Sequence, residues 1–311
     1  MLLVKDDQLL SGTDSVSTCE VTYVLKHNWQ KWKCVSRLNC AIHILVNKYG
    51  FDVNAVEHGK TVLDKICDDK KIILPIVTSL VEAGARPELN GDHDVVAKCF
   101  QPEVFGRNAF TFFFDPIVIY VEILLKHGAK PNELQRTESG VKLTSRCLEY
   151  LLTAHLYPYR SYREYTQVAE LLLVHGACVE PVHMMSALVD LSYVLHLHWT
   201  RAFKNDCLRL LSYFRCAGFS SRHARFKRYD PVQLATLRLS LMNSETIKVL
   251  RYLRAHIRSL DQRPESLQFQ CRRVIRRQMS IAADGKSILD GINDLEISTI
   301  LRNYLKLQDA E

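Results

Sequence analysis

No segment of the 311-residue chain is long and apolar enough to cross a membrane. The nearest, Phe112 to Leu125, is interrupted by Asp115, Pro116 and Glu122. At the N-terminus, Lys5, Asp6 and Asp7 stand where a secretory signal needs an apolar core. These absences predict a cytoplasmic or nuclear protein with no membrane partner. Metal and disulfide chemistry lack their usual spacings as well. The 10 cysteines include no Cys-x-x-Cys pair and the 12 histidines no His-Glu-x-x-His. The cysteines therefore read as reduced and mostly buried, and no metal or cofactor is expected. A Gly-x-Gly-x-x-Gly is missing too. Gly59-Lys60-Thr61 and Gly285-Lys286-Ser287 match the end of a phosphate-binding loop. Asn54 and Ser280 occupy the places where its first glycine belongs, so both read as loop-to-helix turns. No coherent set of nucleophile, base and oxyanion donors can be assembled, which argues against an enzyme. Strand-like alternation is nearly absent, and the fold class expected is all-α.

What is present suits a soluble globular protein: 47% hydrophobic and 24% charged residues, enough to bury a sizeable core. The net charge of +7 is unevenly placed, with +13 in residues 201–277 and −6 in the remainder. A nucleic-acid surface is one reading of such a basic block. The basic positions are spread through helical segments and lack the Gly/aromatic motifs of an RNA-binding sheet, so they read as a solvated face on a helical array.

Internal repetition is a strong signal. Four segments end alike: Ile44 to Asn54 around Gly50, Val77 to Glu88 around Gly84, Val121 to Asn132 around Gly128, and Ala169 to Glu180 around Gly176. Each is an apolar helix ending, a Gly, usually Ala, two residues, then Asn or Glu. A weaker fifth copy ends at Gly218. Glycine takes the left-handed conformation that stops a helix without steric cost. Successive glycines are 34, 44, 48 and 42 residues apart, so the middle repeats carry longer loops or helices. Gly59-Lys-Thr61-Val-Leu63 opens one repeat, with Thr61 as helix N-cap. Helical spacing also relates Leu188, Leu191, Val194 and Leu195, then Leu234, Leu237 and Leu241, then Ile247, Leu250 and Leu253. Trp29 and Trp32 read as core of an N-terminal cap. The insertions around 91–115 and 135–165 are candidate recognition surface, and the aromatic run Tyr157 to Tyr165 reads either as part of that surface or as packing and loop anchoring.

Near the C-terminus, Leu267, Cys271 and Ile275 recur at i, i+4 and i+8 and form one apolar stripe, while Arg272, Arg273, Arg276 and Arg277 fill the other faces. Pro264 and Glu265 suit the helix start, and the arginines suit its last turns. A loop from Met279 to Lys286, a short helix capped by Ser287, and a last helix over 297–307 are expected to follow. Ile297, Ile300, Leu301, Tyr304 and Leu305 are assigned to the buried side of that last helix.

The helix endings resemble the second helix of ankyrin repeats, although Val62 and Asp64 stand where that family has Pro and His. Ser266-Leu267-x3-Cys271-x3-Ile275 resembles the elongin-binding box of the SOCS-box family. Repeats followed by this box resemble the ankyrin-repeat and SOCS-box family. The resemblance implies a divergent ankyrin-repeat array with an N-terminal cap over 1–260 and a small three-helix SOCS-box-like module over 261–311. It implies that Leu267, Cys271 and Ile275 bind elongin C within elongin B/C, and that Leu295 and Ile297 face a cullin–RING scaffold of cullin-5 type. The cullin-selecting Leu-Pro-x-Pro falls on Leu295-Glu296-Ile297-Ser298, where both prolines are missing. The function implied is the substrate-recognition subunit of a ubiquitin ligase whose repeats hold an unidentified protein target. The alternative is an ankyrin-type protein-interaction scaffold with no ligase link.

Overall fold

A computed structural model describes residues 17–32, 34–67, 74–87, 117–138, 140–153, 162–180, 201–219, 244–262 and 266–308. They fall into two compact units, 1–129 and 130–311, and residues 261–311 pack as part of the second. The first unit holds α1 (Thr18–Trp32), α2 (Val35–Tyr49), α3 (Val62–Cys67), α4 (Leu74–Glu82) and α5 (Ile117–Lys126). In the second are β1 (Glu133–Thr137), β2 (Gly140–Thr144), α6 (Arg146–Thr153), α7 (Tyr162–Val174), α8 (Arg201–Cys216), α9 (Ser244–Gln262), α10 (Leu267–Ala282), α11 (Leu289–Asp294) and α12 (Thr299–Leu305).

Among the described residues the protein is mostly helical, with one two-stranded sheet. In the first unit α1 packs on α3, α2 on α4 and α4 on α5; in the second, α6 packs on α7 and α7 on α8. The seams are filled by aliphatic side chains such as Leu38, Leu45, Ile66, Ile76, Leu80, Leu124, Leu172 and Leu211, all essentially inaccessible to water. Burying each contributes about 1.5–3 kcal/mol.

The five expected helix endings share one backbone geometry. Gly50, Gly84, Gly128, Gly176 and Gly218 all have positive φ, between 63° and 116°. In the last four, the glycine amide donates to the carbonyl three residues back: Val81, Leu125, Leu173 and Arg215. The next amide, of Ala85, Ala129, Ala177 or Phe219, donates to the carbonyl five residues back. This paired arrangement closes a helix on carbonyls that have no partner inside it.

The asparagine four residues past the glycine has a role that spacing alone does not reveal. Asn132 Nδ2 donates to the Gly176 carbonyl at 2.9 Å, and its Oδ1 accepts from the Cys178 amide at 2.6 Å. Asn54 repeats the arrangement, donating to the Gly84 carbonyl at 3.0 Å and accepting from the Arg86 amide at 2.9 Å. Each amide thus staples one helix ending to the next. Asn132 is 1% exposed whereas Asn54 is half-buried, so water can replace the lost partner only at Asn54. Asn132→Ala should lower unfolding free energy by about 2–4 kcal/mol and Asn54→Ala by about 1 kcal/mol, as read by denaturant titration. Equal losses would show that burial does not set the cost.

Thr61 caps α3 as expected. Its hydroxyl accepts from the Asp64 amide at 3.2 Å, while Asp64 Oδ2 accepts from the Thr61 amide at 2.9 Å. The loop before it supplies Glu57, whose Oε2 accepts from the Ser17 and Thr18 hydroxyls and the Cys19 amide at the start of α1, and from Lys65 Nζ at 3.2 Å. The Thr18 hydroxyl and then Lys65 hold the Glu57 carboxyl down at about 2, against an ordinary 4.5. A carboxylate whose folded pKa is depressed stabilises fully above its unfolded pKa, and that contribution is lost as pH falls toward 2. Glu57→Gln should therefore narrow its stability gap from wild type as pH falls from 5 to 2, in thermal melts across that range. A gap that stays constant over that range would rule out a charged cap at this position.

The all-α expectation is corrected by the antiparallel hairpin of β1 and β2, in which Glu133 pairs with Thr144 and Thr137 with Gly140. It lies in the longest interval between repeat glycines, from Gly128 to Gly176. Only Leu143 in it is buried, and its burial pattern offers no run of alternating apolar positions to betray a strand. The cysteine expectation is also corrected. Cys67, Cys147 and Cys207 are buried, but Cys19, Cys40 and Cys271 are exposed; the nine described cysteines are all free thiols. Burial pushes the Cys207 thiol up to about 12 and the Cys178 thiol to about 11. Leu250 and Leu253 are buried in α9, and Trp29 is half-buried in α1. Leu188 to Leu195, Leu234 to Leu241, residues 91–115 and Tyr157 to Tyr159 lie outside the described residues. No described helix is long and apolar enough to cross a membrane, and no described group of His, Cys, Asp or Glu is placed to hold a metal ion.

Candidate functional site

Ser266 caps α10: its hydroxyl accepts from the Phe269 amide at 3.2 Å, while Pro264 and Glu265 lie outside the described residues. The helix runs on to Ala282, through half of the segment expected as loop, so Arg272 to Arg277 lie in its middle and not in its last turn. Its burial is inverted. The apolar stripe faces out, with Leu267 75% exposed, Val274 56%, Ile275 40%, and Cys271 exposed as well. The buried stripe is Arg272, Arg276 and Ser280, also at i, i+4 and i+8. A displacement of five residues is about 140° of rotation beyond one full turn of a helix, enough to set the two stripes on different faces.

Two guanidinium-bearing side chains, Arg272 and Arg276, are buried here. The guanidinium of Arg272 lies 3.5 Å over the Tyr304 ring and 5.8 Å from the Phe269 ring centre, where it gains cation–π attraction. Arg276 donates to the carbonyl of Leu305 at the end of α12 and to those of Leu173 and Val174 at the end of α7. Burial, reinforced by the like charge of Arg272, draws the Arg276 guanidinium down to about 9, so it still carries its charge at neutral pH. The dipoles whose negative ends it meets belong to α7 and α12, not to α10.

The rest of the α7 terminus is closed by the same C-terminal segment. The Ile288 amide donates to the His175 carbonyl at 3.2 Å, and the Ser280 hydroxyl to that of Gly176 at 3.4 Å. Carbonyls 173 to 176 therefore all find donors from residues 276–288. Gly285 (φ 80°) lets the following turn approach closely: its carbonyl accepts from the Asn132 amide at 3.2 Å, and a Cβ there would stand 2.4 Å from the Asn132 carbonyl oxygen.

Beyond this turn, Ile288, Ile292 and Leu305 make a small core against which Met279, Leu295 and Ile297 pack. Ser287 helps to start α11 by accepting from the Leu289 amide at 3.3 Å, and Ser298 caps α12. Leu295 and Ile297 are thus half-buried in the module's own interior. Ile300 and Leu301, expected on the buried side of the last helix, are 80% and 51% exposed. The helix is only seven residues long, and burial falls on Leu305 and on Leu307 beyond its end.

Residues 263–306 match the SOCS box family model. A SOCS box is an adaptor module through which proteins engage elongin B/C and cullin scaffolds. Neither a curated protein nor a solved structure matches the chain. The box supplies α10, α11 and α12, and the structure leaves Leu267, Cys271 and Ile275 on its open face. The signal that sequence reasoning passed over is the second stripe. Arg272, Arg276 and Ser280 keep the spacing of the apolar stripe, displaced by five residues.

Proposed function

We propose that this chain is the substrate-recognition subunit of an elongin B/C–cullin–RING ubiquitin ligase. The observation that carries this reading is an apolar stripe left in water on the first helix of a SOCS box, while charged side chains are taken inside. A helix with no docking role gains free energy by turning that stripe inward, so its exposure fits a surface kept for a partner. Leu267 is the anchor for an apolar pocket on elongin C, Cys271 is the small neighbour beside it, and Ile275 extends the contact. The segment from Leu295 to Ile297 faces the cullin, of cullin-5 type, and its lack of prolines weakens that contact.

The stacked helix pairs, read as divergent ankyrin repeats over 1–260, hold the target protein. The chain performs no bond chemistry in this scheme. Ubiquitin transfer rests on holding a target lysine close to the charged conjugating enzyme. Pull-down of purified elongin B/C by the full chain tests the reading, with Leu267→Ala/Cys271→Ala as the variant. Undiminished capture by the double variant rejects it.

A further inference from the structure

The box meets the rest of its unit at several points, among them Val141, Lys130 and Asn132, and one of these points is the end of α7. Four consecutive carbonyls end α7, at Leu173, Val174, His175 and Gly176, and residues 276, 280 and 288 donate to them. Of these three, Arg276 also donates to the Leu305 carbonyl at the end of α12. Arg276 is only 5% exposed, so water has little access to replace the bonds its guanidinium makes. Arg276 directly follows Ile275 in the helix. The rotation that aims its fork at α7 and α12 is the rotation that turns the 267–271–275 stripe to solvent. A planar fork can bind two helix ends at once in fixed directions; a lysine, a flexible point charge, cannot.

We propose that Arg276 is the positioning residue of the docking stripe, joining the ends of α7 and α12 so that α10 is held ready for its partner and adaptor binding is coupled to the terminus of α7. This rests on the elongin-docking reading above, and it adds a residue that touches no partner yet governs affinity. With the fork removed, α10 can roll its apolar stripe toward the vacated interior. The partner then has to bind a minor orientation, which lowers apparent affinity by the fraction still correctly placed.

The test uses the full chain and purified elongin B/C, with titration calorimetry at a temperature where circular dichroism shows each variant helical. Arg276→Met should weaken binding about tenfold or more, and Arg276→Lys should recover part of the loss. Leu267→Ala is measured in parallel. In the wild-type chain, elongin B/C should slow hydrogen exchange at the amides of His175, Gly176 and Ala177, which follow the end of α7 and are not part of the docking helix. If Leu267→Ala loses binding while Arg276→Met stays within twofold of wild type, the positioning role is overturned and the docking reading stands. If Leu267→Ala binds undiminished, the docking reading falls and takes this inference with it. Should Arg276→Met fail to fold, Arg276→Lys and the exchange experiment decide: unchanged affinity together with unchanged exchange at 175–177 overturns the proposal.

Discussion

Leu267→Ala abolishes capture of elongin B/C at micromolar concentration without lowering the melting temperature of the chain. The two halves of this expected result have one cause. Leu267 is 75% exposed, so truncating it removes almost nothing from the core of the free protein. A leucine that passes from water into a partner's pocket contributes about 1.5–3 kcal/mol, and anchors of this kind lose 2–4 kcal/mol on truncation, a fall in affinity of roughly 30- to 1,000-fold. Cys271→Ala, which removes one sulfur atom, should cost about tenfold or less. Ile275 is 40% exposed and should fall between the two. The check is a binding isotherm for each variant beside its thermal melt. A Leu267→Ala chain that melts early and still binds would place this side chain in the fold and not in the interface.

The largest effect on stability is expected at Gly285. An alanine there meets two penalties. Its backbone has φ 80°, a left-handed conformation that costs a residue with a Cβ about 1 kcal/mol. Its Cβ would stand 2.4 Å from the Asn132 carbonyl oxygen, which belongs to main chain and cannot swing aside as the tip of a side chain can. Relieving that clash moves the turn away from Asn132, lengthens the bond from the Asn132 amide to the Gly285 carbonyl and disturbs the staple to Gly176. The total should be about 3 kcal/mol, a fall of roughly 6–12 °C in the melting of the second unit. Gly59→Ala is the control: φ is 74° there too, but nothing lies within 4 Å of the added Cβ, so only the backbone penalty of about 1 kcal/mol applies. Equal losses at Gly59 and Gly285 would remove the close approach as the cause.

Features that depend on near neighbours in the chain were legible from the residues. A glycine after an apolar helix ends it: all five repeat glycines have positive φ, and the last four share one hydrogen-bond pattern. Thr61 caps the helix that follows it through its own hydroxyl, which accepts from the Asp64 amide three residues on. The 267–271–275 spacing makes a stripe on any helix, and the stripe is there. What was not legible depends on partners far away in sequence. An arginine in a helix reads as solvent-facing because an isolated charge is costly to bury; Arg272 and Arg276 escape that cost through a tyrosine ring at 304 and carbonyls at 173, 174 and 305. The register of α12 was misjudged for a related reason. Ile300 and Leu301 look like core residues until the short helix is seen to bury only its far end. The hairpin of β1 and β2 escaped notice because backbone pairing carries it, with one buried side chain.

Leaving Leu267, Cys271, Val274 and Ile275 bare has a consequence for the free chain in a crowded solution. A greasy strip on a helix attracts whatever is nearby, including chaperones and other copies of the same protein. A molecule made in excess of its adaptor is thus the one most open to clumping and to clearance. On the docking reading, the abundance of the protein should follow the supply of whatever covers the strip.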